Sequence, residues 1–189
     1  MKLTVFCLFN IIYMGCASSE LPTFSSFKEL DFSYNNEWSS CFSIKFTQSD
    51  TVYIRQHFAS IRYMSQDSAV KNNASYIGIL TDDQRSQLDS FIRSIDLHRY
   101  DTSYFQEGLE DGTEYKFYIK NDSLAKSIYI YGDSCPIELA KLAEWLAETR
   151  KTLQLVATDT AIIFNSHINL ARPAPVLDIR KFVPPSAEE

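Results

Sequence analysis

Three histidines, His57, His98 and His167, are the side chains best suited to proton transfer or metal ligation near neutral pH. They stand far apart in the chain. None has a partner at metal-ligand spacing, and neither H-E-x-x-H nor C-x-x-C occurs. Serines are plentiful, but none sits in G-x-S-x-G, so Ser-His-Asp chemistry has no local motif to support it. Such triads assemble in space, and a hydrolase built from distant residues stays open as a third reading. Asp101, Glu107, Glu110 and Asp111 crowd one stretch, which reads as a solvated loop because the spacing is not that of an EF-hand. The residues nominate no catalytic group, no metal site and no cofactor.

Binding chemistry is better represented. Alternating strands that bury Ile44, Val52, Ile54, Phe117, Ile119, Ile128 and Ile130 turn Tyr53, Arg55, His57, Lys116, Tyr118, Tyr129 and Tyr131 to the other face. Tyrosine gives rigid contact area with a polar tip, and basic neighbours add charge, a combination suited to a protein or glycan partner. The same residues also make ordinary cross-strand pairs, so a purely structural role stands beside the binding role.

The elements that must position these residues read as follows. Cys41 to Phe46 alternates with Phe42, Ile44 and Phe46 on one side. Gln48-Ser49-Asp50 breaks the run, and Val52 to Phe58 alternates again, giving a hairpin. Tyr76 to Leu80 is a further strand, and Leu30 to Tyr34 a short earlier one. Thr81-Asp82-Asp83-Gln84 is a capping box that opens a helix with Leu88, Phe91, Ile92 and Ile95 on one stripe. Tyr115 to Lys120 and Lys126 to Tyr131 form a second hairpin. Pro136 then opens a second helix whose buried stripe is Leu139, Leu142, Ala143, Leu146 and Leu153. The expected fold is α+β: an antiparallel sheet of about five strands with two helices packed on one face.

The ends carry an address. Lys2 precedes an apolar run from Leu3 to Met14, too short to span a bilayer and of the length of a secretory signal. Its end, Gly15-Cys16, resembles the bacterial lipobox, in which the cysteine takes a lipid and the peptide is cut before it; Tyr13 departs from the usual Leu. The division that follows is signal 1–15, tether 16–28, domain 29–157 and a Pro-containing, partly disordered tail 158–189. An exported protein held in the cell envelope by Cys16, at the outer membrane, is the corresponding location. Cys41 and Cys135 remain in the mature domain, either as a disulfide or as two thiols. The net charge of −6 argues against nucleic acid, which demands clustered Lys and Arg.

The layout is similar to a family of small bacterial envelope lipoproteins of unestablished function, over roughly residues 40–150. The likeness rests on Cys41 leading into Phe42-Ser43-Ile44, and on Pro136 with Leu139 and Leu142. No Pro follows Cys41, and the first hairpin lacks the usual Gly. The resemblance implies a lipid anchor and supplies no catalytic residue. Asp50-Thr51-Val52, Asp67-Ser68-Ala69, Asp122-Ser123-Leu124 and Asp159-Thr160-Ala161 also resemble an O-glycosylation signal of some Gram-negative envelopes. Expected functions are a non-catalytic binding or accessory lipoprotein, or an inhibitor or immunity protein that blocks an envelope-acting enzyme. The expected partners are the membrane, through the anchor, and an envelope protein or glycan.

Overall fold

The computed structural model describes residues 27–36, 39–59 and 72–167. Cys16, the signal, nearly all of the tether and residues 168–189 lie outside these. In chain order the elements are β1 (Glu29–Asn36), β2 (Ser40–Thr47), β3 (Thr51–Ala59), β4 (Ala74–Ile79), α1 (Asp82–Ser94), β5 (Ser103–Phe105), β6 (Glu114–Lys120), β7 (Ala125–Tyr131), α2 (Ile137–Thr152) and β8 (Val156–Thr158). The fold is α+β, as expected, but the sheet has eight strands rather than about five, in the order β5-β7-β6-β1-β2-β3-β4-β8. It is also mixed: β5 pairs with β7 in parallel, while every other pair is antiparallel.

The strand expected to be short and early, β1, lies at the centre of the sheet between β6 and β2. Its side chains alternate. Leu30, Phe32 and Tyr34 join the apolar side, and Asp31, Ser33 and Asn35 point the other way. Phe32 is the hub of an aromatic cluster, with ring centroids 6.1 Å from Phe42, 5.0 Å from Phe117 and 6.2 Å from Tyr115. Edge and offset contacts of this kind add to the area such rings bury. Phe27, immediately before β1, is also buried, and the Lys28 N–H donates to the Lys120 carbonyl. The packed domain therefore begins inside what reads in sequence as tether.

The capping box forms as its spacing predicts. The Thr81 hydroxyl accepts the Gln84 N–H, and the Gln84 side chain accepts the Thr81 N–H. Leu88 and Ile92 of α1, with Leu139, Leu142, Ala143 and Leu146 of α2, complete the core cluster. Trp145 joins the helices to the sheet, 5.7 Å from Phe91 and 6.4 Å from Phe46. Arg85 fastens α1 to the β2–β3 turn, with Nε 3.0 Å from Asp50 and guanidinium bonds to the carbonyls of Thr47 and Ser49. Pro136 stands at the N-cap of α2 rather than inside its first turn. At the end of β7 the chain turns through Gly132, φ +81, where a Cβ would lie 2.7 Å from Gln106. Glycine alone meets both demands.

One irregularity shapes the site. Phe42 pairs with Gln56 but Cys41 pairs with Phe58, leaving His57 as the extra residue of a bulge in β3. Simple alternation through Phe58 therefore fails, and Phe58 is not part of the buried core. Gln56 turns inward, where its amide donates to the Cys41 carbonyl and its oxygen accepts from Arg150 of α2. The buried Arg150 guanidinium also rests over the Phe42 ring, 4.4 Å from its centroid.

Candidate functional site

The seven residues expected on the face opposite the apolar core are all on strands that present them there, and the register shows how they are spread. Across β7, β6, β1, β2 and β3 one row reads Tyr129, Lys116, Ser33, Ser43, Arg55; the next reads Ser127, Tyr118, Asp31, Lys45, Tyr53. Tyr53, Arg55 and His57 thus form one group, and Lys116, Tyr118, Tyr129 and Tyr131 another. The polar residues of β1 and β2 separate them.

Residues 159–167, read in sequence as part of an extended, partly disordered tail, cross the face over this divide. The Asn165 N–H donates to Asp31 Oδ2, the Asn165 amide donates to Glu29, and Ser166 is fully buried with its hydroxyl 2.8 Å from that of Ser33. Lys116 Nζ reaches the His167 carbonyl. The buried Ser166 thus packs this segment against the sheet through a side-chain network.

Beneath the crossing segment the polar groups form two linked clusters. In the first, Lys45 pairs with Glu29 and lies 3.3 Å from Asp31 Oδ1. Burial of Asp31 pushes its carboxyl up to about 6, against the opposing effects of the Asn165 N–H and of Lys45. Lys45 is itself moved upward; burial alone would lower it, but its bonds and attraction to Glu29 and Asp31 outweigh that. In the second cluster a chain of contacts runs from Ser166 to Ser33, then 2.7 Å to Ser43, then 3.1 Å to His57 Nε2. Desolvation lowers His57 to about 4, helped by nearby His167 and Arg55. The two histidine rings are 5.8 Å apart.

The Ser43–His57 contact has the length of a nucleophile–base pair. Its surroundings do not complete that chemistry. Ser43 is 1% exposed and already engages Ser33, and no carboxylate bonds His57 among the described residues. A neutral imidazole held in a serine network positions the bulge and the crossing segment. His98, in the turn after α1, is remote from this cluster, with its N–H on Asp96. No group of three or more metal-ligating side chains occurs among the described residues.

Two cavities flank these elements. A groove of about 690 Å³ opens between β3–β4 and the crossing segment, lined by Arg55, His57, Ser75, Thr158, Asp159 and His167 among others. A smaller, apolar cavity of about 330 Å³ lies on the helix side, between α2 and the β6–β7 region, and includes Tyr34, Tyr115 and Cys135.

Of the tyrosines, Tyr129 donates to Glu114, and Tyr131 donates to the Leu109 carbonyl while accepting the Gly112 N–H. These two serve the sheet and its loop. The hydroxyls of Tyr53 and Tyr118 have no protein partner among the described residues.

The Cys41–Cys135 bridge is not formed. Both are free thiols, Cys41 on the polar side of β2 and Cys135 against the apolar core, so the sheet stands between them. Burial raises both thiols, Cys41 to about 12. Of the hydroxyls in Asp-hydroxyl-apolar triplets, Ser123 and Thr160 are exposed, Thr51 is half-buried at the start of β3, and Ser68 lies outside the described residues. Comparison of the chain with protein-family models, curated proteins and solved structures returned no match.

Sequence reasoning missed Asp31, Ser33, Lys45, Asn165 and Ser166. A signal was present in β1, where polar residues alternate with Leu30, Phe32 and Tyr34, but nothing local said that the polar side would be covered.

Proposed function

We propose that this chain is an exported, lipid-anchored binding protein of the bacterial cell envelope, without turnover of its own. Its partner is engaged through the sheet face opposite the helices. The observation that carries the reading is the division of that face by residues 159–167. The division leaves a groove beside Arg55, His57 and His167, with the hydroxyls of Tyr53 and Tyr118, which have no partner among the described residues, on either side. A rigid eight-stranded sheet holds these groups at fixed spacing, which limits the ordering cost of binding. Cys16 supplies the tether that keeps the face at the membrane surface.

The test is site-specific photo-crosslinking in living cells, with the photoreactive residue placed at Tyr53 or Tyr118, and at Lys141 on the outer side of α2 as control. Discrete adducts from the two sheet positions and none from Lys141 support the reading. Adducts from none of the three, or equally from all, refute it. Turnover of ester or peptidoglycan substrates that disappears in His57→Ala would overturn the non-catalytic assignment.

A further inference from the structure

We propose that the groove between β3–β4 and the crossing segment is an anion site, which takes the carboxylate or phosphate at one end of a small ligand. This deepens the binding role proposed above and rests on it. The strand register places Arg55, Ser75 and Thr158 in one line across β3, β4 and β8. Neighbouring strands are roughly 4.8 Å apart, so the line spans about 10 Å of groove floor. The cavity volume of about 690 Å³ falls in the range of small-molecule sites.

The guanidinium of Arg55 is the reason to assign an anion. It is half-buried, its one hydrogen bond to the protein is to Ser75 Oγ at 3.2 Å, and no carboxylate pairs with it among the described residues. An arginine carries five donors in a planar fork and keeps its charge at all physiological pH. Two other half-buried arginines are committed elsewhere: Arg85 to Asp50 and two carbonyls, Arg150 to Gln56 and the Phe42 ring. Among these three arginines, Arg55 is the one that lines the groove with donors left over.

The neighbours agree with this assignment. His57 and His167 border the same groove, and His57, lowered by burial and by nearby Arg55, leaves the guanidinium as the charge that favours a negative guest. The Ser75 hydroxyl adds a neutral donor, while the Thr158 hydroxyl donates to Thr160 Oγ1. Thr158 also accepts the Thr160 N–H, which fixes the turn out of β8. Among the described residues Asp159 is the one carboxylate on the lining; it is exposed and makes no ion pair with any of them. Charge-assisted bonds to an oxyanion are about twice as strong as neutral ones, so Arg55 dominates the recognition.

The experiment is a titration of the mature full-length protein, followed through the ring resonances of His57 and His167. The probes are inorganic phosphate, tri-alanine with a free carboxylate, and tri-alanine with its C-terminus amidated. Saturable shifts of both histidines with the free-carboxylate peptide, none with its amide, and at least tenfold weaker binding in Arg55→Gln support the site. Saturation by phosphate instead assigns a phosphate-bearing ligand to the same groove. The midpoint of His57, facing Arg55, His167 and Asp159, moves upward when the anion is bound. Unmoved histidine resonances with every probe would overturn the assignment. So would unchanged affinity in an Arg55→Gln variant whose thermal midpoint matches the parent. If the anion test fails while crosslinks from Tyr53 and Tyr118 persist, the binding face stands and only its anion site falls.

Discussion

The buried carboxylate of Asp31 yields the sharpest test of the crossing segment. Its pKa rises from 3.8 in the unfolded chain to about 6 in the fold, chiefly through burial. A raised carboxyl means that the folded state holds its proton to higher pH than the unfolded state does. The stability it contributes is fully present below pH 3.8 and is lost as pH rises through about 6. Two units correspond to about 3 kcal/mol, an order-of-magnitude figure. His57 acts in the opposite sense. Its pKa falls from 6.5 to about 4, so its contribution is present above 6.5 and lost as pH falls toward 4. That contribution is smaller than the shift alone implies, because the ring is only half-buried and is screened. The two opposing slopes overlap between pH 4 and 6 and mask one another in the parent protein.

Asp31→Asn separates them. The amide mimics the protonated carboxyl: its oxygen still accepts the Asn165 N–H, and Lys45 keeps Glu29. Urea unfolding of parent and variant from pH 3.5 to 7.5 gives a difference in which all other titrations cancel. We expect Asp31→Asn to gain on the parent by about 3 kcal/mol across that range, with unchanged urea m-value. Lys45, raised above 10.5, stays charged throughout and adds no slope. His57→Asn should tilt the profile the other way, exposing the loss of stability with rising pH that Asp31 imposes. A difference between parent and Asp31→Asn that stays flat from pH 3.5 to 7.5 would refute the burial of Asp31 beneath residues 159–167.

Thr81→Ala removes the side-chain half of the capping box and should cost about 1 kcal/mol, read as a lower urea midpoint; no change would mean the box is not formed. Phe32→Ala removes the ring at the centre of the aromatic cluster and should cost about 3–5 kcal/mol, read by circular dichroism as a lower urea midpoint; an unchanged midpoint would contradict its central place in the core. Intact mass of the membrane-extracted protein should correspond to residues from Cys16 onward plus a lipid. It should not change on reduction, and alkylation after denaturation should modify both Cys41 and Cys135; a 2 Da gain on reduction, about the mass of two hydrogens, would show a bridge and contradict the placement of the thiols.

Local signals were read where local chemistry decides the structure. Thr81 and Gln84 bond each other within one turn, and the apolar stripes of both helices and the two hairpins follow from spacing alone. The seven-residue face was legible for the same reason, since alternation fixes the side of a strand. What was not legible depends on partners distant in sequence. Nothing in Ser103–Phe105 announces a strand, because β5 exists only through its parallel pairing with Tyr129 to Tyr131. The bulge at His57 requires Gln56 to find Arg150, ninety-four residues later.

The same reasoning explains why the central strand looked marginal. Asp31, Ser33 and Asn35 are residues that a solvent-facing strand would carry, and they invite the reading of a short strand. In the fold they lie in the middle of the sheet, each less than a tenth exposed. Burying Asp31, Ser33 and Ser43 without partners would cost several kcal/mol. Residues 165–167 and Lys45 supply those partners, so the polarity of β1 and the order of the crossing segment are one fact rather than two. A chain that lost the segment would expose a carboxylate, three hydroxyl or amide groups and the floor of the Arg55 groove together. Asn165 and Ser166 therefore hold the wall of the groove in place, although neither lines it. Substitutions at Ser166 should then act on ligand affinity and on stability in parallel, whereas Arg55→Gln should act on affinity alone.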